Sequence, residues 1–151
     1  MKWTSKHIKQ YSEAQEYVDT IILPLVPFTF LGEESGKKAL QNEVMSIFVN
    51  EIEQKLTGRL IQFPHYLYLP SKELEHEVER VNEWIDQNKN EFLEHIILLT
   101  FDSTWKKVEQ DLKGSLLWVP AMYSGDIHSK EVSQMINDQI NELIQLIQSY
   151  W

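Results

Sequence analysis

The 151-residue chain has no cysteine. Disulfide frameworks, thiolate nucleophiles, Cys-based zinc or iron–sulfur sites and thioredoxin-type redox motifs are therefore excluded. Glycine and proline are sparse, five of each, and no Pro/Gly-rich linker, low-complexity tract or internal repeat divides the chain. Positive charge is scarce too. Fourteen Lys and Arg against 23 Asp and Glu leave a formal charge of −9, which opposes phosphate backbones and anionic lipid in the absence of a segregated basic patch. Long apolar runs are missing: the longest, 21–28, is interrupted by two prolines, and the polar opening has no signal-like stretch. These absences lead to an expected cytoplasmic protein with no nucleic-acid partner and no membrane insertion. The length suits a single domain over 1–151 with its own core.

What is present is an alternation. Four short apolar runs, Val18–Val26, Arg59–Phe63, His95–Phe101 and Ser115–Val119, are rich in β-branched and aromatic residues and predict strands. The last two are nearly continuous in apolar side chains, as parallel strands covered on both faces are. Between and after them run amphipathic stretches. Leu40, Val44, Ile47, Phe48, Ile52 and Leu56 form one stripe, closed by Gly58. Leu74, Val78, Val81 and Ile85 form another, with Ser71 as the expected N-cap. A short helix is expected over Ser103–Lys113, capped by Asp102 and stopped at Gly114, and a closing helix over 129–151. Residues 1–16 read as a peripheral segment anchored by Trp3, Ile8 and Tyr11. The pattern predicts an α/β fold: a three-layer, four-stranded, mainly parallel sheet in the Rossmann-like or flavodoxin-like order 2-1-3-4, with helices on both faces. Pro24 is awkward inside the first strand. Either the strand stops at Leu23, or there is a bulge, or the strand lies at an edge.

Chemical motifs are few. Gly32-Glu33-Glu34-Ser35-Gly36-Lys37-Lys38 falls one residue short of a phosphate-binding loop, lacks its hydroxyl and carries two carboxylates, so it reads as a turn leading into a helix. His76 among Glu73, Glu75, Glu77 and Glu79 reads as a solvated helix face, and no metal site or cofactor is expected. No G-x-S-x-G elbow occurs, and no catalytic residue is assigned.

Open α/β sheets bind ligands beyond the carboxyl ends of their strands. That rule gathers Phe28, His65, Tyr66, Tyr68, Asp102, Ser103 and Tyr123 as pocket candidates, with His65 as a base or proton shuttle that Asp102 would orient. In the last helix Ile136, Ile140, Leu143, Ile147 and Tyr150 step by 4, 3, 4, 3. This stripe would dock on the sheet, or alternatively form a homodimer. Tyr150 and Trp151 are the candidate partner contacts.

The segment Glu16-Tyr17-Val18-Asp19-Thr20-Ile21-Ile22-Leu23-Pro24-Leu25-Val26-Pro27, together with Lys2-Trp3 and Phe63-Pro64-His65-Tyr66-Leu67-Tyr68-Leu69-Pro70, resembles the YpiF-type family of uncharacterised proteins from Bacillus and its relatives. The resemblance covers the whole chain. It implies no activity and no catalytic or binding residue; at most it implies an accessory or assembly role beside a cytochrome bc-type respiratory complex. Two classes of function therefore remain: a protein-interaction or regulatory domain with an unidentified protein partner, and a small-molecule-binding protein or minor enzyme with its pocket at the strand ends.

Overall fold

The computed structural model describes residues 1–121 and 126–151. Its elements are α1 (Ser5–Glu13), a 3-10 turn (Gln15–Tyr17), β1 (Thr20–Pro27), α2 (Glu34–Lys55), β2 (Leu60–Gln62), β3 (Tyr66–Tyr68), α3 (Glu75–Asn88), β4 (His95–Thr100), a 3-10 helix (Ser103–Asp111), β5 (Ser115–Trp118) and α4 (Lys130–Ser149). The sheet runs β2-β1-β4-β5, with β3 also paired to β1, and every pairing is parallel. For the four expected strands this is the order 2-1-3-4. The sheet has a fifth strand because the edge opposite β4 is made of two pieces, β2 and β3.

That division explains Pro24. Ile22 pairs with Gln62 and Leu25 with Tyr66, so two residues of β1 stand opposite three, Phe63, Pro64 and His65. This is a bulge on the neighbouring strand. Phe63 N donates to Ile22 O and Phe28 N to Tyr68 O, which shows that even-numbered residues of β1 present their backbone to the β2–β3 side. The missing N–H of Pro24 therefore faces the interruption. β1 remains central, every residue of it is buried, and no ladder bond to β4 is lost.

The two faces of β1 feed different cores. Ile22 and Val26 join Phe48, Val49 and Ile52 of α2 and Ile140, Leu143 and Ile147 of α4. Leu23 and Leu25 join Val78, Val81 and Ile85 of α3, with Trp105 of the 3-10 helix. A smaller cluster, Val18, Ile21, Ile61 and Leu93, takes in Ile8 and Tyr11 of α1. The sheet is thus covered on both faces. Because Ile136, Ile140, Leu143 and Ile147 are consumed in the first core, the apolar stripe of α4 is not exposed as a dimer seam.

Asp102 caps the 3-10 helix by accepting from Thr104 N (3.0 Å), and Ser129 caps α4 by accepting from Val132 N (3.3 Å). Other boundaries differ from expectation. Ser71 Oγ accepts from Glu73 N, a local turn, and α3 starts only at Glu75, after Leu74 has been buried. The segment after Asp102 is a 3-10 helix ending at Asp111, two residues earlier than expected. Trp3 is exposed and is no anchor; Met1 does that work, with its amino group 2.7 Å from Leu60 O and 2.8 Å from Glu53 Oε1 and its carbonyl accepting from Gln62 N at 2.7 Å. Among the described residues no helix is long and apolar enough to cross a membrane.

Candidate functional site

The carboxyl ends of β1, β3 and β4 lie at one end of the parallel sheet. Beyond β1 the chain runs through Phe28, Thr29, Phe30 and Leu31 and turns at Gly32, whose φ of +67° is readily adopted only by a residue without a Cβ. α2 then starts at Glu34. A cavity of about 460 Å³ opens here, lined by Phe28, Phe30, Ser35, Lys38, Asn42 and Leu67 among others. A second cavity of about 210 Å³ adjoins it; Phe28 and Leu67 line both, and Tyr68, Leu69, Glu77 and Arg80 complete the second.

The rim of these cavities is apolar. Phe28 is 49% exposed, Phe30 83%, Leu67 54% and Leu69 72%, and Leu31, which follows Phe30, is exposed too. Side chains alternate across a strand, so Tyr66 and Tyr68 turn into the α3 core while Leu67 stands on the other side.

The two tyrosines are held by hydrogen bonds. Tyr68 Oη donates to Asp102 Oδ2 (2.7 Å) and accepts from Trp105 Nε1 (2.8 Å), and the Trp105 ring stands edge-on to Tyr68 at 5.2 Å. Burial, then the charge and hydrogen bond of Asp102, raise the Tyr68 phenol far above its ordinary value. Tyr66 Oη donates to Glu77 Oε2 (2.7 Å) beneath the edge of Trp84, and burial together with Glu77 raises it as well. Both phenols therefore hold their protons at neutral pH, and both Asp102 oxygens are engaged, one by Tyr68 and one by Thr104 N. His65 Nδ1 lies 2.9 Å from Asn42 Oδ1, and burial lowers the imidazole's pKa.

The structure therefore gives His65 and Asp102 different partners, and the base-and-orienter pair expected from sequence is not among its contacts. Phe28 lines both cavities, Tyr68 lines the second, Tyr66 is buried in the α3 core, and half-buried Asp102 holds the Tyr68 phenol. Ser103 is exposed at the start of the 3-10 helix. Tyr123 lies outside the described residues. Tyr150 is exposed at the end of α4, but Trp151 is drawn into the chain's own packing: its Nε1 donates to Thr20 Oγ1 (2.8 Å) and the Arg59 guanidinium stacks on its ring at 3.9 Å. Among the described residues, no three His, Cys, Asp or Glu side chains gather where a metal could bind.

Sequence reasoning missed Phe30, Leu31, Leu67 and Leu69. The available signal was their placement: Phe30-Leu31 immediately before Gly32, and Leu67 and Leu69 within three residues of Pro70, where turns are normally polar.

The family described as "Protein of unknown function (DUF2487)" matches residues 9–151. The chain is similar to the uncharacterized protein YpiF of Bacillus subtilis (strain 168), with 22% identity over 151 residues that span 100% of this chain and 98% of that protein. No solved structure matches it. Neither description carries an activity, and the resemblance seen in Glu16–Pro27 and Phe63–Pro70 extends along the chain. The chain belongs to the DUF2487 family of proteins of unknown function.

Proposed function

We propose that residues 1–151 form a non-catalytic, cytoplasmic interaction domain with an accessory or regulatory role, whose rim at the carboxyl ends of β1 and β3 seats a protein partner. One observation carries the reading: four large apolar side chains, Phe28, Phe30, Leu67 and Leu69, stand exposed around two adjoining cavities, with exposed Leu31 next to Phe30 in the chain. Contiguous exposed apolar surface of this kind marks interaction sites. The titratable groups beneath it are occupied in holding β3 and the 3-10 helix, which favours binding over chemistry. The net charge of −9 opposes a nucleic-acid partner, and the cysteine-free chain suits a reducing compartment.

The test is photocrosslinking in living cells, with a photoreactive phenylalanine in place of Phe30 or Leu69 and, as control, in place of exposed Lys9. Protein crosslinks are expected from the two rim positions and not from the control. Their absence from both rim positions overturns the reading.

The volume of the first cavity favours a second reading, since about 460 Å³ lies within the range of small-molecule sites, about 300–1,000 Å³. Its few polar groups include Ser35, Lys38 and Asn42, the last already engaged with His65. A small molecule retained by the purified protein, and lost on Lys38→Ala with the fold intact, would favour this reading.

A further inference from the structure

β3 is an edge strand with one side of its backbone in use. Tyr68 O accepts from Phe28 N, so Tyr66 and Tyr68 direct their peptide groups toward β1. By the alternation of a strand, the N–H and C=O of Leu67 point away from the sheet. Among the described residues β3 pairs with β1 and with no strand on its other side, and no turn, loop or side-chain bond reaches these two groups. The N-terminal segment pairs with the same sheet edge at β2, where Met1 bonds Leu60 and Gln62, but among the described residues its backbone pairing does not extend to β3. An unpaired edge is a template for another strand, commonly masked by charge or covered. At β3 it is flanked instead by exposed Leu67, Leu69 and Phe28.

The sequence around this edge is nearly symmetric. Pro64-His65-Tyr66-Leu67-Tyr68-Leu69-Pro70 reads Pro-X-Tyr-Leu-Tyr-X-Pro in either direction, with Leu67 at its centre. A twofold axis at Leu67 would set two copies of the segment antiparallel, each Leu67 N–H donating to the other's C=O and each Tyr66 opposite a Tyr68. An isologous contact needs a surface that complements itself, and this segment has that symmetry. The prolines at each end limit the added ladder to the five residues between them.

The exposed apolar side chains beside the edge, Phe28, Leu67 and Leu69, supply the surface that the pairing would cover.

We infer that the partner at the rim is a second copy of this chain, joined through antiparallel pairing of the two β3 edges about Leu67. This rests on the rim being an interaction surface and names its occupant. The pairing closes on itself: each β3 edge is used once, so the product is a dimer and not a fibre.

Sedimentation equilibrium of the full chain at micromolar concentration tests it. The expected mass is twice that of the chain. Leu67→Lys, which brings two ammonium groups together at the axis, should halve the mass while leaving the far-UV dichroism unchanged. Leu67→Pro should do the same, because it removes an N–H that the chain's own sheet does not use. If the proline variant fails to fold, the lysine variant decides. A monomeric wild type, or a dimer unchanged by Leu67→Lys, overturns the proposal. Crosslinks from Phe30 and Leu69 to a different protein, with a monomeric purified chain, would overturn the dimer and leave the rim as a binding surface; no crosslinks and a monomer would overturn both.

Discussion

The phenol of Tyr68 and the carboxylate of Asp102, 34 residues apart in sequence, meet at 2.7 Å and tie the end of β3 to the start of the 3-10 helix. Trp105 completes the junction by donating to the same phenol oxygen. Tyr68→Phe keeps the ring and removes the atom that serves both partners. The indole N–H of fully buried Trp105 then has lost its acceptor, and an unsatisfied buried donor costs about 1–3 kcal/mol. Urea unfolding should show a loss of about 2 kcal/mol with an unchanged dependence on denaturant. A variant as stable as the parent would show that water replaces the phenol without cost.

Tyr150 and Trp151 are neighbours with different fates. Trp151 packs on the α2–α4 core, bonds Thr20 and carries Arg59 on its ring, so its truncation removes contacts from three elements. Trp151→Ala should destabilise by about 2 kcal/mol, less than the cost of a fully buried aromatic because the ring remains partly exposed. Tyr150→Ala should change stability by no more than about 0.5 kcal/mol. Thermal unfolding of the two variants side by side checks the contrast, and equal losses would contradict it.

Much of the sheet was legible because parallel strands covered on both faces must be continuous in apolar residues, as Ile96 to Leu99 and Leu116 to Trp118 are. β3 was not, because its three residues follow a proline and read as loop; only the Tyr-Leu-Tyr alternation, buried-exposed-buried in the fold, carried a strand signal. The cap at Asp102 could be read locally, because the bonded amide is two residues away, and the helix start near Ser129 was placed as the structure has it, with Ser129 accepting from Val132 N. Ser71 failed because its short-range bond to Glu73 competes with helix initiation. Site partners were illegible for the opposite reason. Asn42 lies 23 residues from His65 and Tyr68 lies 34 from Asp102, separations at which only the assembled sheet determines who meets whom.

Gly114 marks a close approach at the entry to β5. A Cβ built there would lie 2.9 Å from the backbone oxygen of Ile96 and 3.0 Å from its Cγ2. The oxygen belongs to β4 and cannot move without disturbing a ladder that spans Ile97–Thr100 with β5. Gly114→Ala should therefore destabilise by about 1–3 kcal/mol through overpacking. Gly36, which has open space around its α-carbon, is the control: Gly36→Ala in α2 should be neutral or stabilising by up to about 1 kcal/mol. Chemical denaturation of both variants measures the difference, and its reversal would place the strain elsewhere.

Asp19, at the entry to β1, sets an acid limit on stability. Burial alone would raise its carboxyl, but hydrogen bonds from Arg59 and Thr20 and the Arg59 charge outweigh that and hold it below 3.8. A carboxylate with a lowered folded pKa contributes stability that is present above its unfolded value and disappears as pH falls through the folded one. The contribution of the Asp19–Arg59 pair, 2.8 Å between Oδ2 and the guanidinium, should thus be complete at neutral pH and fade below about pH 4. Because both side chains are partly exposed, its size should be about 1 kcal/mol. Asp19→Asn removes the titration, so the stability gap between parent and variant should be open at pH 7 and close toward pH 2–3. Melting curves of both proteins across that range measure the gap. A gap of constant width would mean that Asp19 acts through its hydrogen bond to Thr20 and not through its charge.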